Sequence, residues 1–590
     1  MITLFAFWAG SAWATDIIVD QHNPRASDQN PGTKDRPLKT ISAAAARVKS
    51  GDHVIIHGGD YRETVIIKAS GTSDAPIVFE AAPGETPVIK GSDIITGWNR
   101  VSPNVWKANP GPIPTRSNKS DAPSFWRTND VRQVFTKDGV MLEAIHLRTA
   151  PPDALQPGNF FCDRSKNELY VCLKDTQDAN RLTIEASVRG AWLLIFGDYV
   201  NVRGLALRHS STLGIAPWPA CVIKGNNVTL DHCSLTWADF VAVSLGGSND
   251  TLSNCLIACN GCEGIGGTGQ GHLIERCRVL YNNINRYYFD WHAGGAKLIP
   301  NFSNGRILHN EFAFNIGVGL WFDGASNDNL IEGNFSHDNE GAGIMVEISA
   351  RNRVFNNVCM ANRNPLAADF LMPDDQPGAK PNTFKTIRRG GEPPNGPIYH
   401  SGDGRGIYVS SSPETKIFHN TSYLNEAEGI SVEGPLNNGP GVAMSTHDSV
   451  ILNNICAYNK GAQLVLRKNG FDAATYGNKS DYNLLVSRGG VLAEAGWGVA
   501  MSRSVKDWQQ ATGNDEHSLQ ADPSFAMAAM GDFRLLPISA AAHAATPLTD
   551  VTQDFFAQPR PKDAVSMGAF EVTATDYPRP LTLDSLAGTQ

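Results

Sequence analysis

Short apolar segments that end in Asn or Cys recur through the middle of the chain. Each consists of an apolar residue, two variable positions and then Asn or Cys, and the eight copies end at Cys233, Cys255, Cys277, Asn310, Asn334, Asn357, Asn420 and Asn454. Successive copies lie 22, 22, 33, 24, 23, 63 and 34 residues apart. A period near 22 residues with several short strands is typical of a parallel β-helix, and the longer intervals indicate insertions into single coils. A leucine-rich-repeat solenoid would need an L-x-x-L-x-L pattern and a convex helix, and neither is visible.

The same pattern divides the chain into segments. Residues 15–96 contain an opening strand, an Ala-rich stretch at Leu38–Val48 that predicts a short capping helix, and the first coils. Over residues 97–185 the period is lost and short alternating strands predict a small inserted β-sandwich. The coils resume over residues 186–470, and residues 471–590 are expected to form terminal coils and a cap. The sequence thus predicts an all-β solenoid with one inserted subdomain.

The first 14 residues form an apolar run that ends in Ala12-Trp13-Ala14. This ending resembles a signal-peptidase site, although the run lacks a positively charged start. The alternative is a buried first strand. No later run approaches the ~20 apolar residues of a membrane span. We therefore expect a secreted or periplasmic protein without a membrane span.

Charge and cysteine usage exclude several classes of partner. Only 18% of residues are charged, the net charge is −9 and no basic stretch stands out, which argues against nucleic-acid binding. Ten cysteines are compatible with an oxidising compartment. Cys162 and Cys172 flank a predicted hairpin and could form a disulfide. Cys259 and Cys262 lack the second pair that a zinc site requires, so no metal and no cofactor are expected.

Two acidic residues follow apolar strands at equal distances from the repeat. Asp323 lies 13 residues after Asn310, and Glu347 lies 13 residues after Asn334. Equal offsets put the two acids on the same side of consecutive coils, with carboxyl groups roughly 5 Å apart. That spacing is typical of retaining glycosidases, in which one carboxyl stays ionised and the other holds a proton. The alternative is that both acids are solvated outward positions of adjacent strands.

Residues near these acids offer the surfaces that a sugar would need. Aromatic side chains provide flat faces for pyranose rings, at Tyr287, Tyr288, Trp291 and Trp321. His292 and Lys297 could hydrogen-bond to hydroxyl groups. Packing within the inserted loop is the alternative role for the aromatic residues.

Four further residues are weaker candidates for the same cleft. His209 and Trp218 follow a strand of an earlier coil and could line the cleft or belong to the core. Glu433 lies 13 residues after Asn420, and Arg467 is expected beside it in the next coil. We expect these two residues to be rim contacts or plain surface.

Several segments resemble the β-xylosidases of glycoside hydrolase family 120. The resemblance is loose over most of the chain and is carried by GLWFD (Gly319–Asp323), VEIS (Val346–Ser349), His292–Leu298 and residues 92–108. It implies a right-handed parallel β-helix with an inserted β-sandwich. It also implies that Asp323 is the nucleophile, that Glu347 is the general acid/base and that the loop His292–Leu298 contacts the sugar. β-Helical fucosidases and xylanases form a related family with similar architecture.

The sequence leaves three hypotheses for function. The first is a retaining glycoside hydrolase that acts on a plant-type or related oligo- or polysaccharide and resembles a β-xylosidase. The second is a polysaccharide lyase with Lys297 as base, although the acidic cluster of a calcium site is not visible. The third is a glycan-binding solenoid without catalytic activity, which would have no use for a matched acid pair.

Overall fold

The computed structural model describes a defined part of the 590-residue chain. The described residues are 16–111, 131–136, 141–144, 155–163, 165–174, 177–211, 219–287, 292–364, 369–373, 384–388, 403–434, 445–467, 477–495 and 501–572. The predicted signal peptide lies outside these residues.

Three long sheets run the length of the solenoid, and each coil contributes one short strand to each sheet. Sheet 1 has 13 parallel strands: Asp16–Val19, His53–Ile56, Ile77–Ala81, Val200–Arg203, Thr229–Asp231, Thr251–Ser253, Leu273–Glu275, Arg306–Leu308, Leu330–Glu332, Arg353–Phe355, Lys416–Phe418, Val450–Leu452 and Lys479–Asp481. Sheet 2 has 12 parallel strands: Gly59–Tyr61, Pro87–Lys90, Ala206–Arg208, Ser234–Thr236, Leu256–Ala258, Arg278–Leu280, Glu311–Ala313, Phe335–His337, Val358–Met360, Thr421–Tyr423, Ile455–Ala457 and Leu484–Val486.

Sheet 3 contains the two strands that lead to the predicted acids. Its 13 strands are Val65–Ile67, Leu193–Ile195, Cys221–Ile223, Val241–Leu245, Glu263–Gly267, Gly294–Leu298, Val318–Phe322, Ile344–Glu347, Ile407–Ser410, Ile430–Glu433, Leu464–Leu466, Ala493–Glu494 and Met501–Ser502. All pair in parallel except the last, which runs antiparallel to its neighbour. Alternate residues of each strand point into a continuous aliphatic core, which in sheet 3 includes Leu320, Phe322, Ile344 and Val346. The intervening residues therefore form the outer face.

A ladder of side-chain amides joins consecutive coils at the predicted repeat position. Asn310 Nδ2 donates to Asn334 Oδ1 at 2.9 Å, and Asn334 Nδ2 donates to Asn357 Oδ1 at 3.0 Å. The ladder continues through Asn420 and Asn454. Every amide in it is buried, so these hydrogen bonds fix the register of neighbouring coils. The predicted β-helix and its repeat are confirmed.

The inserted segment forms two sheets that enclose a core of their own. The smaller sheet contains Ser92–Ile95, Val134–Thr136 and Ile184–Ser187, and the larger contains Asn99–Arg100, Val105–Ala108, Glu143–Ala144, Asn159–Asp163 and Glu168–Cys172. Trp98, Trp106, Phe160 and Val171 pack in the core between them, as the predicted sandwich requires. The register places Cys162 opposite Leu169, and no disulfide joins Cys162 to Cys172. The disulfide that the sequence left possible is therefore not formed, because the hairpin does not place the two cysteines opposite each other.

The ends of the solenoid are covered by short elements. The N-terminal helix Ile41–Ala45 begins after Thr40, whose side chain accepts a hydrogen bond from the amide of Ala43. This confirms the predicted capping helix. The C-terminal part adds the helix Val505–Thr512, the 3₁₀ turn Ala528–Met530 and the hairpin Phe525–Met527 with Asp532–Leu535.

Two further short elements lie away from the ends. A second 3₁₀ turn, Ala179–Arg181, lies in the insert, and a hairpin joins Asp369–Pro373 to Phe384–Arg388. No helix among the described residues has both the length and the apolar character needed to cross a bilayer.

Candidate active site

The two predicted acids lie at corresponding positions of neighbouring strands. Phe322 pairs with Val346, so the next residues along the two strands are Asp323 and Glu347. Because Phe322 and Val346 face the core, both acids belong to the outer face of sheet 3. Their backbones are one strand spacing apart, about 4.8 Å, and both side chains are buried. The predicted register is confirmed, while the separation of the two carboxyl groups stays a prediction.

Asp323 is held by a lysine from the preceding coil. Lys297 Nζ lies 3.0 Å from Asp323 Oδ2. Lys297 pairs in register with Trp321, and its ammonium lies 3.3 Å from the centre of the Trp321 ring. The lysine therefore reaches Asp323 across one face of the indole, combining an ion pair with a cation–π contact. That face of Trp321 is covered by the ammonium, so the indole supports Lys297 instead of presenting this face to a sugar.

A second acid–base pair lies one coil closer to the N-terminus. His292 Nδ1 lies 2.7 Å from Glu263 Oε2, and Glu263 is buried. The Glu263 carboxylate occupies the space above Gly266, since a Cβ atom at that glycine would lie 2.8 Å from Glu263 Oε1. Gly266 pairs directly with Lys297. The His292–Glu263 pair therefore lies next to the Lys297–Asp323 pair on the outer face.

A buried cluster of opposite charges follows Glu347 in the C-terminal direction. Glu347 pairs with Ser410, and Ser410 pairs with Glu433, which places Glu433 two coils beyond Glu347 as predicted. Arg467 Nη1 lies 2.7 Å from Glu433 Oε1, and both residues are buried. The expectation of rim or plain surface for Glu433 and Arg467 is wrong, because opposite charges in adjacent coils neutralise each other and allow both to be buried.

Arg405 and Tyr408 connect this cluster to the acid pair. The Arg405 guanidinium lies 4.3 Å from the centre of the Tyr408 ring, and its Nε lies 2.7 Å from Glu428 Oε2. Burial alone would lower the pKa of Arg405, but the carboxylates of Glu428 and Glu433 raise it above its usual range. Burial raises the pKa of Tyr408, and the charges of Glu433 and Glu347 raise it further. Tyr408 is therefore a neutral phenol with the charges of Glu433 and Glu347 in its surroundings.

The remaining predicted residues lie elsewhere or outside the described residues. The His209 ring stacks on Phe135 at 3.7 Å, and its Nδ1 lies 3.3 Å from Glu185 Oε2. These contacts join the insert to the solenoid and do not include the acid pair. Tyr287 is buried, and its ring packs edge-on against Phe240 at 5.0 Å. Trp218, Tyr288 and Trp291 lie outside the described residues.

The sequence interpretation missed four residues that the structure brings to the outer face of sheet 3, namely Glu263, Arg405, Tyr408 and Glu428. Glu263 follows Cys262 directly, and the only sequence signal in that segment is the weak metal motif of Cys259 and Cys262. Arg405 and Tyr408 follow the long insertion, where the repeat gave no position to count from. No group of three or more potential metal-binding side chains occurs within the part of the chain that the structure describes.

Comparisons with known proteins identify the fold. The family described as "Right handed beta helix region" matches residues 220–369. The chain also superposes on a solved structure of XylC in complex with xylose, with a TM-score of 0.65 over 94% of this chain and 98% of that chain, at 16% identity. The chain is a right-handed parallel β-helix. At this identity the likeness shows the fold alone.

Two other known proteins are similar over short segments. An uncharacterized protein, YwoF of Bacillus subtilis (strain 168), is 40% identical over 72 residues, which is 12% of this chain and 15% of YwoF. Pectate lyase PEL9 of Emericella nidulans is 35% identical over 95 residues, which is 16% of this chain and 22% of that protein. The chain thus matches less than a quarter of the length of each.

Proposed function

We propose that the protein is a retaining glycoside hydrolase in which Asp323 is the nucleophile and Glu347 the general acid/base. The observation that carries this proposal is the register of the two acids on neighbouring strands, with Lys297 as the counter-charge of Asp323. In this mechanism Asp323 attacks the anomeric carbon while Glu347 protonates the leaving oxygen. Glu347 then removes a proton from the water that releases the sugar from Asp323.

The surroundings support distinct roles for the two carboxyl groups. Asp323 faces a cation at 3.0 Å, as suits a carboxylate that must stay ionised to attack. Glu347 lies one coil farther from Lys297 than Asp323 does, and it pairs in register with Ser410 on its other side. Lys297 thus gives Asp323 a cationic neighbour, which suits the nucleophile of a two-step displacement and leaves Glu347 as the general acid/base.

The substrate class is a neutral or acidic oligo- or polysaccharide of plant type. XylC, whose solved structure contains xylose, has the same fold over nearly its whole length, which is consistent with a carbohydrate substrate. We expect export, consistent with substrates that are too large to enter a cell. No cofactor is needed for this chemistry.

A polysaccharide lyase is the second candidate, and the buried position of Lys297 favours it. Lysine is one of the side chains that can remove a proton next to a uronate carboxyl. The short similarity to pectate lyase PEL9 points in the same direction. A lyase would leave unsaturated, ultraviolet-absorbing ends on its products, whereas a hydrolase would not.

A panel of aryl glycosides tests the hydrolase proposal. We expect the wild type to release the aryl group from at least one glycoside, and Glu347→Gln to retain this activity only on leaving groups that need no protonation. Asp323→Asn should lose it on all of them, by a factor of at least about 10³. Unsaturated products from a uronate polymer, with no aryl glycoside cleaved, would instead establish the lyase.

A further inference from the structure

The column of outward positions on sheet 3 that contains Asp323 and Glu347 also extends towards the N-terminus. The amide of Asp323 donates to Leu298 O at 3.1 Å, and the amide of Ile299 donates to Gly267 O at 2.8 Å. The same hydrogen bond recurs from Thr268 to Leu245 O, from Lys224 to Ile195 O and from Phe196 to Ile67 O. From the N-terminal end, the column therefore contains Lys68, Phe196, Lys224, Gly246, Thr268, Ile299 and Asp323. In six of the seven coils, the residue just before the column member belongs to the core, so the column faces outward. These core residues are Ile67, Ile195, Ile223, Leu245, Leu298 and Phe322.

The N-terminal part of this column is exposed and carries an aromatic ring between two cations. Phe196 is 43% exposed, so its ring is accessible to a ligand from solvent. Lys68 and Lys224, its neighbours in the two adjacent coils, are both exposed. Neither lysine forms an ion pair with any residue that the structure describes.

Lys224 lies along the column in the direction of Asp323. A Cβ atom at Gly246 would lie 3.0 Å from Lys224 Nζ and 3.3 Å from its Cδ, so the lysine side chain occupies the space that this glycine leaves open. The Lys224 ammonium therefore lies over Gly246, which is three strand spacings, about 14 Å, from Asp323. Phe196 is five strand spacings away, about 24 Å. A pyranose unit is comparable in length to one strand spacing, so an oligosaccharide of several units spans from Asp323 to Phe196.

The chemistry of the three residues indicates what they bind. An exposed ring stacks on the apolar face of a pyranose unit. Ammonium groups on either side without carboxylate partners attract a negative charge, whereas a neutral sugar offers them hydroxyl groups but no opposite charge. Resting on the proposed function, we propose that Lys68, Phe196 and Lys224 form a distal subsite for a uronic acid unit. The substrate is then an acidic oligo- or polysaccharide that lies along the helix axis and is cleaved at Asp323.

Binding measurements on the full-length chain test this proposal without relying on turnover. The probes are an oligogalacturonate and a xylo-oligosaccharide that carries 4-O-methylglucuronate, each compared with its carboxyl-reduced form. Titration calorimetry is performed on Glu347→Gln, with Lys224→Gln, Phe196→Ala or Lys479→Gln added. Lys479 is an exposed lysine of sheet 1 and serves as the matched control.

We expect at least one acidic probe to bind more tightly than its reduced form. Lys224→Gln should weaken binding of that probe roughly threefold to tenfold and change binding of the reduced form by less than about twofold. Phe196→Ala should weaken both forms by a similar factor, and Lys479→Gln should change neither. Equal binding of acidic and reduced probes, or the same loss from Lys479→Gln as from Lys224→Gln, would overturn the subsite. A chain that binds the acidic probe through Lys224 but cleaves no glycoside would retain the subsite and overturn the proposed hydrolase.

Discussion

Lys297 Nζ and Asp323 Oδ2 lie 3.0 Å apart, and both residues are buried. The lysine originates one coil before the acid and crosses the face of Trp321 to reach it. The proposed nucleophile is therefore fixed by a side chain from a different coil. Removing either charge alone leaves the other buried without its counter-charge, which costs more than removing both.

This relationship predicts a strong coupling between Lys297 and Asp323 in stability. We expect Lys297→Met to lower the free energy of unfolding by about 3 kcal/mol, because it leaves a buried carboxylate without its cation. The double variant Lys297→Met/Asp323→Asn should recover most of that loss. Urea unfolding of the two single variants and the double variant measures the coupling.

The surface pair Lys416–Asp550 supplies the control for this cycle. Its atoms are 2.6 Å apart, but both side chains are more than two-fifths exposed. Lys416→Met should therefore change stability by less than about 1 kcal/mol. Additive effects of the Lys297 and Asp323 substitutions would contradict a buried, coupled ion pair.

Gly266→Ala tests whether Glu263 supports the site. The added Cβ would lie 2.8 Å from Glu263 Oε1, so the carboxylate must move away from its place beside Lys297. We expect kcat to fall by about tenfold or more, since misplacement of supporting groups is costly in a preorganised site. The global unfolding midpoint should change little. Steady-state kinetics on the best aryl glycoside, with Gly490→Ala as a control at a glycine with open space around it, measures the effect. Unchanged kcat in Gly266→Ala would show that the Glu263 carboxylate does not support catalysis.

Counting from the repeat predicted the backbone of the site but not its side-chain contacts. Asn310 and Asn334 are bonded ladder neighbours, so equal offsets of 13 residues placed Asp323 and Glu347 in register. Glu263 is different, because its carboxylate reaches the site by occupying the space above a glycine. That contact depends on the direction of the Glu263 side chain and on the lack of a side chain at Gly266, and neither can be read from the repeat.

The burial of Glu433 and Arg467 shows the same limit. Sequence spacing correctly predicted that the two residues occupy corresponding positions in consecutive coils. Charged residues at such positions are usually expected at the surface. Here their mutual neutralisation, together with Arg405, permits burial. Which charges will pair depends on side-chain reach across coils, and the repeat alone does not specify it.

Asn334→Ala should destabilise the solenoid strongly for a single polar substitution. Asn334 Nδ2 donates to Ile307 O and to Asn357 Oδ1, and its Oδ1 accepts from Asn310. Losing these buried bonds leaves several polar groups without partners, which we expect to cost about 2 to 3 kcal/mol. Denaturant unfolding of Asn334→Ala measures the loss. Asn99→Ala, at an exposed position of the insert, is the control and should cost less than about 0.5 kcal/mol. Equal costs at the two positions would contradict a stabilising ladder.

The raised pKa of Asp250 predicts that the protein becomes less stable as pH rises. Asp250 Oδ2 lies 3.4 Å from His272 Nδ1, a distance that suggests an ion pair. That nitrogen instead accepts a hydrogen bond from the Asp250 amide, while His272 Nε2 contacts Thr268 O, so the ring is neutral. Burial raises the pKa of Asp250 to about 7. The native state therefore holds this proton between about pH 4 and 7 while the unfolded state releases it, and stability declines across that window.

Asp250→Asn should remove this decline. The same position in later coils is occupied by Asn329 and Asn352, whose amides bond to each other. We expect the variant to exceed the wild type by on the order of 4 kcal/mol at about pH 8 and to match it closely at about pH 4. Unfolding free energies across this range test it, with the exposed Asp74→Asn as control. Parallel pH profiles for Asp250→Asn and wild type would show that Asp250 is already ionised at neutral pH.

Trapping of the covalent intermediate tests directly whether Asp323 is the nucleophile. The enzyme is incubated with the 2-deoxy-2-fluoro glycosyl fluoride of the sugar that the aryl-glycoside panel identifies, and its peptides are analysed by mass spectrometry. We expect the fluorosugar to be attached to Asp323 and Asp323→Asn to prevent labelling. Attachment to a different residue, or an inverted anomeric product with no covalent species, would contradict this expectation.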